Sequence, residues 1–371
     1  MRIPLSRPDI TDEEINAVLE VLRSGILSIG SKIEEFEKNF AEYIGKKYAV
    51  AVNSGTSALH LVIKSYDIKD GDEVITTPFS FVASSNCILF ERAKPVFVDI
   101  DPNTLNMDID QIEDKITDRT KAILPVDVFG HPNDMEKLRE ITDKYGLLLL
   151  EDSCEAVGSE YKGIKTGVLA DSAVFAFYPN KQMTTAEGGI IVTDDEKIAN
   201  LCKSYRSQGR PITGLWLEHE RLGYNYRLSE IHAALGIVQL KRLEEFIKKR
   251  QQVAERYNER LKNVSGVRIP YIDPNVNKMS WFVYVIRLEP EIDRNKLMKY
   301  LLDNGVQCRP YFTPIHLQPF YREMFRYKEG DFPITESVSN STIALPFFNN
   351  ITDEEIDYVV EKVKEGIERM S

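Results

Sequence analysis

A chain of 371 residues exceeds what one compact core organises, and its 43% hydrophobic and 28% charged residues exclude a disordered or fibrous chain. A formal charge of −11 argues against the broad basic face of a nucleic-acid binder, so an anionic small substrate would need a local cluster of donors. Cys87, Cys154, Cys202 and Cys308 form no C-x-x-C pair, and no signal-peptide core or apolar run of about twenty residues occurs, so a cytoplasmic protein with reduced thiols, no metal site and no membrane association is expected.

The hexapeptide ITDEEI stands at residues 10–15 and again at 351–356 with unrelated flanks, and reads as two helix starts rather than a repeat. Thr11 and Thr352 are the expected N-caps, with Glu14 and Glu355 reaching back to close capping boxes. Ile15, Val18, Leu19 and Leu22 continue the first helix up to Gly25; Ile356, Val359, Val360 and Val363 continue the second.

Between residues 48 and 195 the β-rich runs YAVAV, DEVITT, PVFVDI, AILPVDVF, LLLLED, AVFAF and GGIIVTD alternate with helical segments such as DMEKLREITDKYG. Strands apolar on both faces and separated by helices predict an α/β fold with a mostly parallel sheet covered on two sides. A long helical stretch is expected from about Ser229 to Leu261; WFVYVIRL, DRNKLMKYLLDNG, VQCRPYF and the last helix then make a smaller α+β unit. The division falls near residue 250, giving a large domain over 1–250 and a small one over 251–371.

Ligands of an open parallel sheet gather outside the carboxyl ends of its strands. After YAVAV, the segment NSGTSALHL lets Gly55 turn tightly while Thr56 and Ser57 open a helix whose free N–H groups suit a phosphate; an ordinary Ser/Thr cap reads equally well. PFSFVASSN brings Phe79 and Phe81 to the next strand end, as core or as a platform for a flat ring. LLLL is followed by Glu151, Asp152, Ser153, Cys154 and Glu155, and a carboxylate at the mouth of so apolar a strand must meet a cation or donors, or take up a proton. Beyond AVFAF, in FYPNKQMTTAEGG, Lys181 stands between a strand end and a Gly-rich turn.

These are the parts of a pyridoxal phosphate site: an amine for the aldehyde, an aspartate for the pyridinium nitrogen, a helix start for the phosphate and an aromatic ring to stack upon. No other catalytic set competes. His60, His131, His219, His232 and His316 are scattered without an H-x-x-x-H pair, and neither a G-x-S-x-G elbow, a P-loop nor a G-x-G-x-x-G fingerprint is present.

The segments IPLSRPDIT, SGTSALHL, DEVITTPFSFVAS, PVFVDIDP, EDSCEAVGSEYKG, FYPNKQMTTAEGG and GYNYRLSEIHAALG, in order over nearly the whole chain, resemble the DegT/DnrJ/EryC1/StrS aminotransferases, which aminate keto groups on nucleotide-linked sugars. The resemblance implies a fold type I pyridoxal phosphate enzyme, a homodimer or a tetramer of such dimers, with active sites at the subunit interface. It makes Lys181 the Schiff-base lysine and Asp152 the partner of the pyridine nitrogen. Glu155 falls where the family has Gln, His or Glu beside the cofactor ring, and Phe81 where an aromatic stacks on it. Gly55, Thr56 and Ser57 match the phosphate-binding turn, and Asn225 of GYNYRL matches an asparagine that reaches the phosphate from the neighbouring subunit.

The chain departs from the family at Ala176, where many members place a phosphate-contacting serine, so one hydrogen bond needs another donor. FAFYPNKQMTT followed by GYNYRL is most similar to perosamine synthases, which act on a GDP-linked 4-keto-6-deoxymannose, and glutamate is the amino donor the family implies. Related sugar 3-dehydratases carry histidine at the place of Lys181, which favours transamination; a non-catalytic regulatory member would take up no cofactor. Arg206, Arg210, Tyr311 and His316 are candidates for the nucleotide diphosphate and sugar, and read equally as surface charges and packed aromatics.

Overall fold

The computed structural model describes residues 1–212 and 217–369. In chain order the strands of its first part are β1 (Tyr48–Val52), β2 (Glu73–Thr76), β3 (Lys94–Phe97), β4 (Thr120–Ile123), β5 (Leu148–Asp152), the short pair β6 (Glu160–Tyr161) and β7 (Ile164–Lys165), β8 (Ser172–Ala176) and β9 (Gly189–Thr193). A seven-stranded sheet runs β1-β9-β8-β5-β4-β2-β3, antiparallel only at the two pairings made by β9. The fold is α/β, with the mostly parallel sheet that the apolar runs predict.

Strand periodicity explains the two cores. Ala49, Ala51, Ala173, Phe175, Ile190 and Val192 turn to one face, while Val50, Val52, Val174 and Ile191 turn to the other. Phe175 and Phe177 meet Phe36 and Phe40 edge to face, with ring centroids 5.3 to 5.5 Å apart. Each such fully buried ring stabilises the fold by about 2 to 3 kcal/mol.

The later strands are β10 (Val267–Arg268), β11 (Val276–Lys278), β12 (Tyr284–Leu288) and β13 (Thr342–Leu345). β10, β12 and β13 form an antiparallel sheet, whereas β11 pairs with β6 and so ties this part of the chain to the first. A separate core gathers Tyr257, Trp281, Tyr284, Val359 and Val363, and also Ile3, whose parallel bridge to Val306 returns the start of the chain to this unit.

Both capping boxes form, at Thr11 with Glu14 and at Thr352 with Glu355. The first helix, Asp12–Ser24, nonetheless buries Glu14 and Val21 and leaves Ile15, Leu19 and Leu22 exposed. Glu14 is held inside by Thr11, Gln239 and Arg242, which fixes the face that turns inward. The expected single helical stretch divides at Arg242 into Glu230–Lys241 and Leu243–Leu261. Its halves serve different neighbours: the first packs on the helices Asp12–Ser24 and Ser31–Ile44, the second sends Val253, Ala254, Tyr257 and Leu261 into the later core. Among the described residues no helix is long and apolar enough to cross a membrane, and all four cysteines are free thiols.

Candidate active site

β1 and β8 both run against β9, and β8, β5, β4 and β2 run with one another, so all end on one side of the sheet. A cavity of about 730 Å³ opens there, with Gly55, Thr56, Phe81, Asp152, Glu155 and Lys181 in its walls and Phe282 and Tyr311 contributed by the later part of the chain.

Asp152 is the last residue of β5 and is 3% exposed. Its carboxylate accepts the Ser84 hydroxyl at 2.6 Å and the Cys154 N–H at 3.2 Å, and among the described residues it forms no ion pair. A buried carboxylate on a cavity wall without a cation leaves a place for a positively charged ring nitrogen, which is what a pyridinium offers. The neighbouring Cys154 thiol is pushed well above its ordinary range by burial and by the Asp152 charge, so it stays protonated and inert as a nucleophile.

Lys181 follows β8 by a short turn in which its N–H donates to the Tyr178 carbonyl at 2.9 Å. Its Nζ lies 3.5 Å from Glu155 Oε1 and 3.8 Å from the centroid of the Phe282 ring. Glu155 is buried, and its other oxygen accepts the Phe129 N–H at 2.9 Å. Burial pushes the Glu155 carboxyl up from its ordinary range, while the Lys181 charge pulls it back.

The helix Gly55–Ser65 begins at the cavity wall, with Ser54 as its N-cap. Ser54 Oγ accepts the Ser57 N–H at 3.1 Å, and the first intrahelical bond is that of Ala58 N–H to the Ser54 carbonyl. The N–H groups of Gly55 and Thr56 therefore have no acceptor within the helix, the condition that suits an anion. Glycine is required at two points of this approach: a Cβ on Gly55 would stand 2.7 Å from Ala176 Cβ, and one on Gly189 would stand 2.5 Å from the Ser54 carbonyl oxygen.

The remaining expected residues divide. Phe81 is 62% exposed on the cavity wall, whereas Phe79 is packed inside against Phe129 and Phe312. Ala176 and Tyr311 line the cavity. Ser57 is turned away from it, its hydroxyl donating to Asn53 Oδ1 at 2.7 Å. Asn225 is exposed outside the cavity of its own chain, its backbone bridged to Ser207. Arg206 is bound to Glu37 and to the Ala51 carbonyl, and it lines no part of the cavity; nor does Arg210. His316 is wholly buried 3.0 Å from Glu336 and packs on Phe332, with burial holding its pKa below the ordinary value.

Ser84 and Phe282, which line the cavity, and Arg250, which donates to the Lys181 carbonyl at 3.0 Å, are not among the residues expected from sequence. Ser84 lies in PFSFVASSN without a distinguishing pattern, but Arg250 carries a signal: it occupies the buried stripe Leu243, Phe246, Ile247, Arg250, Val253, Ala254, Tyr257, where spacing asks for an apolar side chain.

The sequence profile of the DegT/DnrJ/EryC1/StrS aminotransferase family matches residues 8–364. The chain is 42% identical to the uncharacterized protein MJ1066 of Methanocaldococcus jannaschii, over 98% of this chain and 97% of that one. It is 36% identical to the GDP-perosamine synthase of Escherichia coli O157:H7, over 98% of both. Among solved structures it is similar to Helicobacter pylori PseC, an aminotransferase involved in the biosynthesis of pseudoaminic acid, with a TM-score of 0.93, 32% identity and full coverage of both chains.

Proposed function

The chain belongs to the DegT/DnrJ/EryC1/StrS aminotransferase family, and on that premise we propose that it is a pyridoxal phosphate-dependent aminotransferase acting on a nucleotide-linked keto-deoxysugar. The observation that carries this reading is a buried carboxylate without a cation, Asp152, on the wall of the same cavity as the Lys181 amine and the open N-terminus of the helix Gly55–Ser65.

When bound, the cofactor supplies a ring that accepts the electron pair released at a neighbouring carbon. The chain's own residues do the rest. Asp152 holds the proton of the ring nitrogen, and Ser84 and the Cys154 N–H keep that carboxylate in place. Gly55 and Thr56 N–H groups bind the phosphate, supported by Thr56 Oγ1 and, in a homodimer, by Asn225 of the other copy. Lys181 Nζ is the group that would move a proton at the donor α-carbon, and Glu155 stands beside it as a charge partner. Phe81 covers one face of the site from the solvent side.

The exposed stripe Ile15, Leu19, Leu22, continued by Ile26, Leu27 and Ile29, supports a homodimer, because so contiguous an apolar surface is rarely left to water. Asn225 then serves across the interface. Glutamate is the proposed amino donor, and GDP-4-keto-6-deoxymannose, giving GDP-perosamine, is the proposed sugar substrate in view of the perosamine synthase relative. Of the four substrate candidates, Tyr311 is the one the cavity itself supports.

The test is amine transfer from glutamate labelled at its amino nitrogen to a panel of GDP-, UDP- and dTDP-linked 4-keto sugars. Label in the GDP product supports the full reading, label in another product corrects the nucleotide, and no label in any sugar contradicts it.

A further inference from the structure

Arg250 is 4% exposed, and among the described residues it has no carboxylate partner. Its guanidinium instead donates to three main-chain carbonyls: Lys181 at 3.0 Å, Trp281 at 2.9 Å and Phe282 at 3.1 Å. Burial alone depresses its pKa, to about 10, and its Nε has no acceptor among the described residues. The Phe347 ring lies 5.5 Å from the guanidinium, but a buried cation without a carboxylate is still expensive to keep, and neutral donors could tie the helix to the segment before β12 at lower cost. The cost points to what the guanidinium holds.

Two closed circuits pass through Lys181. In the first, Arg250 grips the main chain of Lys181 and of Phe282, and the Lys181 amine returns to the Phe282 ring at 3.8 Å. In the second, the Phe282 N–H donates to Phe129 O, the Phe129 N–H donates to Glu155, and Glu155 meets the same amine. Trp281, itself one of the gripped residues, has a φ of 53° although it is 1% exposed, a backbone state that surrounding contacts must hold. Gln182 adds a third tie, from its side chain to the Glu155 carbonyl and the Ser280 hydroxyl.

Resting on the pyridoxal phosphate reading above, we propose that Arg250 is the positioning residue of this site: its fork fixes the main chains of Lys181 and Phe282 in one register, so that the amine stands over the Phe282 ring and beside Glu155, the place from which it would meet the cofactor. Lysine is a poor replacement, because Nη1 serves Trp281 and Phe282 while Nη2 serves Lys181, and an ammonium places all its donors on one atom. The role is orientation of an amine that reacts with the aldehyde and loses water, and a small misplacement of such a nucleophile slows reaction far more than it weakens binding.

The test compares the full-length wild type with Arg250→Lys, Arg250→Met and Tyr257→Phe. Tyr257→Phe removes a buried hydrogen bond to the Pro346 carbonyl in the neighbouring core and reports loosening alone. Three quantities are read: the unfolding midpoint, affinity for pyridoxamine 5′-phosphate, which forms no bond with lysine, and the rate at which pyridoxal 5′-phosphate becomes fixed on Lys181 under borohydride. Both Arg250 variants are expected to bind pyridoxamine phosphate within about threefold of wild type yet to be captured about tenfold more slowly, while Tyr257→Phe is captured at the wild-type rate. Capture at the wild-type rate in Arg250→Lys overturns the proposal, as does slowing no greater than the loss of pyridoxamine phosphate affinity. Should Arg250→Met fail to fold, Arg250→Lys decides. A wild type that fixes no cofactor on Lys181 defeats the functional reading itself, and the positioning role falls with it.

Discussion

Lys181 Nζ lies 3.5 Å from Glu155 Oε1, and Glu155 is kept there by the Phe129 N–H on its other oxygen. Glu155→Gln retains an acceptor for that N–H and removes the charge facing the amine. Amine transfer is expected to fall by about tenfold, with the unfolding midpoint little changed, because a charge-assisted contact becomes a neutral one. Single-turnover kinetics with glutamate measure this directly; an unchanged rate would detach Glu155 from the proton-carrying amine.

Asp152→Asn separates the carboxylate's charge from its place in the fold. Asparagine can still accept from Ser84 and the Cys154 N–H, so the fold is expected to be at least as stable as wild type, since an uncompensated buried charge has gone. Turnover, in contrast, is expected to drop by a factor of about 100 or more, through loss of the proton on the ring nitrogen. Calorimetry and initial rates on one preparation check both halves.

Glu151, one residue before Asp152, shares the Ser153 hydroxyl with Asp127, and both carboxyls are buried. Burial and the Asp127 charge push the Glu151 carboxyl well above its ordinary range. The folded protein thus holds a proton where the unfolded chain has released it, so this pair's contribution is full below the unfolded pKa and falls as pH rises toward the folded one. Glu151→Gln mimics the protonated acid. Its unfolding midpoint should decline less than that of wild type between about pH 5 and about pH 8, as thermal melts across that window will show.

Ala176 lines the cavity beside Gly55, at the place where a hydroxyl could reach the proposed phosphate. Ala176→Ser is expected to tighten pyridoxal phosphate binding by about tenfold, corresponding to a new hydrogen bond of about 1.5 kcal/mol to a charged group. Equilibrium dialysis of the cofactor measures it; weaker binding would mean that Gly55 leaves no room for the added oxygen.

How much of this was legible in the sequence depends on the range of each interaction. Lys181 and Asp152 stand at strand ends, and strand ends are visible as the edges of apolar runs, so local pattern finds them. Arg206 looks free in YRSQGR, yet its partner Glu37 is 169 positions away, and no local pattern reveals that pairing. Thr56 and Ser57 look alike in the sequence as one phosphate turn; the fold separates them, because the Ser54 cap and Asn53 draw the Ser57 side of the turn inward. The spacing of Ile15, Leu19 and Leu22 marks the helix, yet these side chains are exposed while Glu14, anchored by Arg242, turns inward. Helical spacing gives a face but not what the face meets.

The most direct measurement is borohydride reduction of the protein loaded with pyridoxal phosphate, followed by peptide mapping, on wild type and Lys181→Ala. One labelled peptide is expected, containing FYPNKQMTTAEGG with the cofactor on Lys181, and no label on the variant, which also loses amine transfer. Label on a different lysine, or turnover retained by Lys181→Ala, would contradict it.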